Sequence, residues 1–267
     1  MTVLSIVIPI YNERDVWREL LRRVEAVDLS PLDVQRQIIL VNDASTDGTG
    51  EQLEQWWHDL HRPDGSLESA ARFHHQANEN PNPGCRMPDA VTHKLIRHEK
   101  NQGKGAALRT GFAAADGDIV LVQDADLEYD PDEYPQLLAP ILAGQADVVY
   151  GSRFLAGRPK NNNIRWTNYL ANRALTFLSN RITGLKLTDM ETCYKVFRRE
   201  VIARVRIEHD RFDFEPEITA KLAALGVRVV EVPIRYTGRS KSEGKKIGLR
   251  DGIAALRCIG KHRRRTR

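Results

Sequence analysis

Residues 118–128 read DIVLVQDADLE. Ile119, Val120, Leu121 and Val122 form an apolar run without polar alternation, which fits a strand buried on both faces. Two carboxylates follow, Asp124 and Asp126. On extended backbone, residues two apart point the same way. Working outward, the same pattern of apolar run and polar ending recurs at VLSIVIPI (3–10), which leads into Tyr11-Asn12-Glu13. It recurs at QIILVND (37–43) and at ADVVYGSRF (146–154), and 94–98 resembles a shorter strand. Helical spacing falls between these runs: Val16, Leu20, Val24 and Val27 mark 14–27, and 49–60, 104–115 and 132–143 read likewise. This alternation predicts an α/β fold with a mostly parallel central sheet flanked by helices.

The 267 residues are 41% hydrophobic and 28% charged, a globular balance that excludes disorder throughout. No run approaches the ~18 apolar residues of a membrane-spanning helix. MTVLSIVIPIYNE reads as a first buried strand rather than a signal peptide. Cys85, Cys193 and Cys258 are too few for a disulfide scaffold or a cysteine-only zinc site, and they fit a reducing compartment. Cys193 reads as a packed small residue, not an activated nucleophile. Charge is uneven: residues 235–267 carry a balance of +10 and the preceding body −6. The expected organisation is a catalytic domain over 1–234 and a basic loop and tail over 235–267. The tail suggests a phosphate-bearing partner. It lacks the interleaved aromatics of a nucleic-acid binder, so no nucleic-acid partner is expected. Residues 61–93, rich in Pro, Gly and polar residues, read as a surface insertion. The histidines His58, His61, His74, His75 and His93 match no metal spacing and receive no role.

In an open α/β sheet, ligands bind beyond the carboxyl ends of the strands. Asp124 and Asp126 lie at such an end. A pair of carboxylates there can share a hard divalent cation and leave positions for phosphate oxygens, the neutralisation that a departing diphosphate needs. The competing reading is an Asp-rich turn before a helix. In NDASTDG (42–48), Ser45, Thr46 or Asp47 can cap the next helix, and Asp43 can accept hydrogen bonds from a base or ribose. NQGKGAAL (101–108) is a glycine turn entering a helix, a weak anion-binding signal without the P-loop or dinucleotide-binding pattern.

Taken in order, IVIPIYNE, LVNDASTDGT, NQGKGAALRTGF and DADLEYDP resemble the family 2 glycosyltransferases of the GT-A fold. VVYGSRF, LTDMETCYKVFRREV, EVPIRY and GRSKSEGKKIGLRDG are similar to the branch holding dolichyl-phosphate mannose synthases and bacterial polyprenyl-phosphate sugar transferases. The resemblance implies an inverting enzyme that uses Mg²⁺ or Mn²⁺ to move a hexose from a UDP- or GDP-sugar to a polyprenyl or dolichyl phosphate. It implies that Pro9, Tyr11 and Glu13 contact the nucleoside, that Asp43 contacts base or ribose, and that Lys104 lies near the nucleotide. It assigns donor phosphates and metal to Asp124, Ala125 and Asp126, with Glu128 a further metal-shell position. Arg153, Arg165 and Arg173 become candidates for the acceptor phosphate. Asp189 is the candidate base or sugar-orienting acid, with Glu191 second. Arg239 and Lys245 would close over the diphosphate, as in the family's loop. Residues 248–260 look amphipathic and, with KHRRRTR, would rest on an anionic membrane or form a solvated tail. The expected location is cytoplasmic, at the inner membrane face if the tail binds lipid. Two rivals stand beside this reading: a soluble family 2 transferase acting on a hydroxyl acceptor, and a nucleotidyltransferase, which would release pyrophosphate.

Overall fold

The computed structural model describes residues 1–62, 91–157, 164–211 and 213–238. Three strands and their helices come first: β1 (Thr2–Ile10), α1 (Trp17–Ala26), β2 (Val34–Asn42), α2 (Thr49–Leu60) and β3 (Val91–Arg97). Then follow α3 (Lys104–Ala114), β4 (Ile119–Val122), α4 (Tyr134–Leu142), β5 (Val148–Ser152) and α5 (Trp166–Thr183). The described chain closes with β6 (Lys195–Arg198), α6 (Arg199–Ile202), α7 (Phe214–Ala224) and β7 (Val229–Pro233). The seven strands form one sheet in the order β3-β2-β1-β4-β6-β5-β7. Every pairing is parallel except those of β6, which runs against both β4 and β5.

The apolar runs end up where their composition sends them. Ile6, Val7, Val120 and Leu121 have no exposed surface, because helices cover both faces of the central strands. α1 lays Trp17, Leu20, Leu21 and Val24 against the sheet. Each such side chain contributes about 1.5–3 kcal/mol on burial. Two boundaries differ from the sequence reading. The strand expected over 118–126 stops at Val122, so the acidic pair lies in the turn beyond it. The strand expected at 94–98 runs over Val91–Arg97.

Topology sets the site. After β1 the chain winds outward through β2 and β3, then returns to place β4 on the other side of β1. The crevice at that reversal lies at the carboxyl ends of β1 and β4. Because β6 is antiparallel, its entry at Lys195 faces the same edge. So do the exits of β2 at Asn42, β3 at Arg97, β5 at Ser152 and β7 at Pro233.

Candidate active site

The first two strand-end loops are laced together. Asn12, held at φ +55°, donates its backbone N–H to Ser45 Oγ (3.0 Å), and its side-chain oxygen accepts from the Thr46 N–H (2.8 Å). The Glu13 N–H donates to Thr49 Oγ1 (3.1 Å) and the Arg14 N–H to Asp47 (3.2 Å). Of the three capping candidates, Asp47 accepts from the first N–H of α2, at Thr49 (3.0 Å). Gly48, at φ +95°, occupies the cap position and offers no side chain. The polar residues read as caps also fasten one loop to the other and fix Tyr11 and Glu13, both half-buried, at the edge. Pro9 lies one step inside it, opposite Val41.

Asp43 is buried, and its carboxylate is filled by protein. One oxygen accepts from His98 Nδ1 (2.7 Å) and the Gln102 N–H (2.9 Å), the other from Asn101 Nδ2 (3.0 Å) and the Gly103 N–H (2.6 Å). Four donors account for its lone pairs. Asp43 thus shapes the glycine turn 101–103 directly, and His98 is braced from behind by Thr110 (2.9 Å). The turn must be glycine: Gly103 sits at φ +102°, and a Cβ there or on Gly105 would run into the backbone of His209 and Asp210. That neighbouring loop is itself pinned by buried Glu217, which accepts from the N–H groups of Glu208 (2.7 Å) and His209 (2.9 Å).

The acidic turn after β4 is anchored by Gln123. Its Oε1 accepts from the hydroxyls of Tyr134 and Tyr194, each at 2.8 Å, and its amide donates to the Asp124 carbonyl (2.9 Å). Ala125 is buried and Asp126 receives the Glu128 N–H (3.1 Å). Lys104, at the start of α3, bridges Asp124 (3.0 Å) and Glu215 of α7 (3.1 Å). Burial opposes the Lys104 charge, but Asp124 and Glu215 outweigh it and hold the ammonium protonated well above the usual lysine range. The second Glu215 oxygen is buried without a hydrogen-bond partner. Glu128 is drawn elsewhere: its carboxylate accepts from the Tyr236 hydroxyl and its carbonyl from the Thr237 N–H (2.9 Å).

Two hard carboxylate oxygen donors suit Mg²⁺ or Mn²⁺ chemically. Among the described residues, no three His, Cys, Asp or Glu side chains converge into a ready cage. The donor set therefore fits a cation whose remaining positions are filled from outside the protein. The carboxylate of Glu128, the further metal-shell candidate, accepts from the Tyr236 hydroxyl.

Beyond β5, Asp189 is fully buried and accepts four hydrogen bonds. Arg153 supplies three, from its backbone N–H (3.1 Å), Nε (2.7 Å) and Nη2 (2.8 Å), and Asn172 of α5 the fourth (3.0 Å). Glu231 of β7 fixes the preceding backbone by accepting from the N–H groups of Thr188 (2.8 Å) and Asp189 (3.0 Å). Expected as a base or a sugar-orienting acid, Asp189 has no open lone pair here; it holds Arg153, whose ring neighbours are Phe154 and Tyr236. Glu191 is different. Its Oε1 is buried without a hydrogen-bond partner, and burial, with the nearby Glu215 charge, pushes its carboxyl up to about 8. Lys195 is buried beside it over the Tyr150 ring, with its ammonium on the carbonyls of Met190 (3.2 Å) and Thr192. Burial lowers its affinity for the proton. Cys193 is buried against the Val122 carbonyl, and burial raises its thiol further.

The structure therefore brings Tyr11, Glu13, Asp43, Lys104, Asp124, Asp126, Arg153, Asp189 and Glu191 to one sheet edge. Arg173 reaches the Thr188 carbonyl (3.4 Å), next to that group, whereas Arg165 is exposed at the start of α5. Arg239, Lys245, the 248–260 segment and most of the 61–93 insertion lie outside the described residues. Of the histidines, His93 pairs with Glu25 (2.7 Å) and His61 packs on Trp57. Sequence reasoning missed His98, Gln123, Glu215, Asn172, Glu231 and Tyr236. His98 was findable, since it follows a strand end like the acids. The others act across distances that no local pattern spans.

The family model described as "Glycosyl transferase family 2" matches residues 5–75 and 92–206. An undecaprenyl-phosphate 4-deoxy-4-formamido-L-arabinose transferase of Edwardsiella ictaluri is 30% identical over 241 residues, 90% of this chain and 62% of that protein. The enzyme of the same name from Pseudomonas savastanoi is also 30% identical, over 60% of its length. The chain thus spans about three fifths of these relatives. Among solved structures, Mycobacterium tuberculosis glucosyl-3-phosphoglycerate synthase with Mn²⁺, uridine diphosphate and phosphoglyceric acid superimposes at TM-score 0.60. It is 16% identical, covering 98% of this chain and 78% of that one. Staphylococcus aureus TarS 1–349 with uridine diphosphate gives 0.57 at 17% identity, covering 98% and 65%. At such identities the likeness concerns the fold, which is GT-A.

Proposed function

The chain belongs to glycosyltransferase family 2, and we propose that it transfers a hexose from a UDP- or GDP-sugar to a polyprenyl phosphate, inverting the anomeric carbon. The carrying observation is the state of Asp189. With all its lone pairs spent on Arg153 and Asn172, it orients a cation instead of accepting a proton. An acceptor phosphate arrives already anionic and needs no strong base, and an oriented guanidinium matches its oxygens. The names of the curated relatives point to the same acceptor class.

Each part of the edge then has a task. Pro9, Tyr11 and Glu13 line the nucleoside, and Asp43 contributes by setting the shape of the 101–103 turn. Asp124 and Asp126 would hold Mg²⁺ or Mn²⁺, which supplies charge neutralisation for the diphosphate. Lys104 adds a fixed positive charge beside them. Arg153, with Arg173 nearby, would receive the acceptor phosphate; Arg239 and Lys245 are proposed to cover the diphosphate. The acceptor oxygen bonds to the anomeric carbon as the bond from that carbon to the diphosphate breaks on the opposite face. The nucleoside diphosphate leaves with the electron pair. A location at the inner membrane face follows from this acceptor.

One observation favours a second reading. Glu191 carries a buried, partnerless oxygen that could serve a hydroxyl acceptor once the group ionises. The test supplies Mn²⁺ and radiolabelled UDP- and GDP-sugars with undecaprenyl phosphate or soluble hydroxyl acceptors. Label in the organic phase with release of nucleoside diphosphate is the expected result. Label only in soluble products would support the second reading, and release of pyrophosphate would overturn both.

A further inference from the structure

Lys104 stands where a cation is hard to keep. It opens α3, whose N-terminus carries the positive end of the helix dipole, and its side chain is only 15% exposed. Its Nζ lies 3.0 Å from each oxygen of Asp124. On the other side it donates to Oε1 of Glu215, in the first turn of α7, at 3.1 Å. The backbone fixes this pairing. Gly103 and Gly105 pack onto the backbone of His209 and Asp210, and the Ala106 N–H donates to the Asp210 carbonyl (3.2 Å). The starts of α3 and α7 are thereby held together, and Thr219 ties the Glu215 carbonyl one turn on (2.7 Å). One carboxylate suffices to neutralise a lysine; this one has two. Glu215 is also incompletely used. It is buried, and its Oε2 has no hydrogen-bond partner among the described residues. A buried oxygen so placed is unfavourable unless a second arrangement uses it.

We propose that Glu215 is the positioning residue that keeps Lys104 in the donor site when a divalent cation draws on Asp124. The inference rests on the cation reading of the acidic pair. An ammonium and a divalent cation use the same Asp124 lone pairs, and their like charges oppose sharing them. Glu215 gives the ammonium a second counter-charge, with an open oxygen on a carboxylate that Nζ already touches. Lys104 has three donors to distribute. It can therefore give up Asp124 without leaving the site and without becoming an unpaired buried charge, which is the strongly destabilising case. The donor it frees is then available to the diphosphate. Without Glu215 the ammonium has Asp124 as its one counter-charge and competes with the cation for it. Glu215 acts through Lys104 and not on the reacting atoms.

The test reads metal binding and not turnover. The full chain is titrated with Mn²⁺ alone, and free Mn²⁺ is counted from its paramagnetic resonance signal. Glu215→Gln is close in shape and is expected to weaken Mn²⁺ binding about tenfold or more, because the lysine then holds Asp124 more firmly. Glu215→Asp keeps the charge and should recover much of the loss. Lys104→Gln removes the competing cation and is expected to tighten Mn²⁺ binding about threefold or more. The opposite signs separate this role from a structural one, since an ion pair that merely supports the fold would make both variants weaker binders. Circular dichroism and urea melts show that each variant is folded, and the Lys104→Gln result stands by itself if Glu215→Gln does not fold. Mn²⁺ binding by Glu215→Gln equal to wild type would overturn the proposal. So would Mn²⁺ binding by Lys104→Gln no tighter than wild type. Asp124→Asn isolates the premise. Unchanged Mn²⁺ binding there would overturn the cation reading, whereas binding lost in Asp124→Asn and intact in Glu215→Gln overturns the role of Glu215 alone.

Discussion

Asp189→Asn separates a positioning role from a chemical one. The wild-type carboxylate is fully buried and receives four hydrogen bonds, three from Arg153, whose side chain is only 11% exposed. Asparagine keeps one acceptor oxygen and turns an NH₂ group toward donors, so Arg153 keeps its charge without a counter-charge. Removing one partner of a buried ion pair costs about 3–5 kcal/mol. That is a fall of roughly two to four orders of magnitude in the folded-to-unfolded ratio. Urea unfolding followed by circular dichroism measures it. Activity should fall too, because Arg153 loses its orientation, and Arg153→Lys should share the defect since an ammonium cannot reproduce the two-point contact. An Asp189→Asn protein within about 1 kcal/mol of wild type yet catalytically dead would refute the reasoning. Asp189 would then be acting on the reacting atoms.

Glu191 should leave a pH signature. Its carboxyl is raised from 4.5 to about 8 in the folded chain, so the folded state holds a proton that the unfolded state has released. That stabilisation is complete below about pH 4.5 and is lost as pH rises through about 8. Glu191→Gln should flatten the stability profile across this window, and an unchanged profile would remove the buried-acid assignment. Lys104→Ala should weaken nucleotide-sugar binding in calorimetry by about tenfold or more, near 1.4 kcal/mol, because Asp124 and Glu215 then repel the diphosphate; unaltered affinity would place Lys104 outside the donor site. Gln123→Leu leaves two buried tyrosine hydroxyls without their acceptor and should cost about 1–3 kcal/mol in urea melts. Chelation with EDTA, or Asp124→Asn, should abolish the thermal shift produced by the matching nucleotide sugar; a full shift without metal would count against a cation at the acidic pair.

The sequence by itself determined the layer architecture and the active edge. Its apolar runs could be buried only as central strands, and each handed its polar ending to the same side of a parallel sheet. Asp43, Asp124 and Asp126 were legible because each follows such an ending, whereas Lys104, Arg153 and Asp189 were marked by the family resemblance. What those residues do was decided by tertiary contacts between segments far apart in the chain. Asp43 looked like a ligand contact, but His98, Asn101, Gln102 and Gly103 consume its lone pairs. Glu128, expected in the metal shell, has its carboxylate tied to Tyr236, more than a hundred residues away. Asp189, expected as a base or a sugar-orienting acid, has its lone pairs met by Arg153 and Asn172. A local pattern fixes which groups stand at an edge, because burial and strand direction are properties of short segments. Which lone pairs remain open depends on donors that only the completed fold brings within hydrogen-bonding distance. The same holds for α5, which buries the polar residues Asn172, Thr176 and Ser179. Asn172 and Thr176 find their hydrogen bonds inside, on Asp189 and the Met190 N–H, and Trp166, Leu170 and Phe177 face outward.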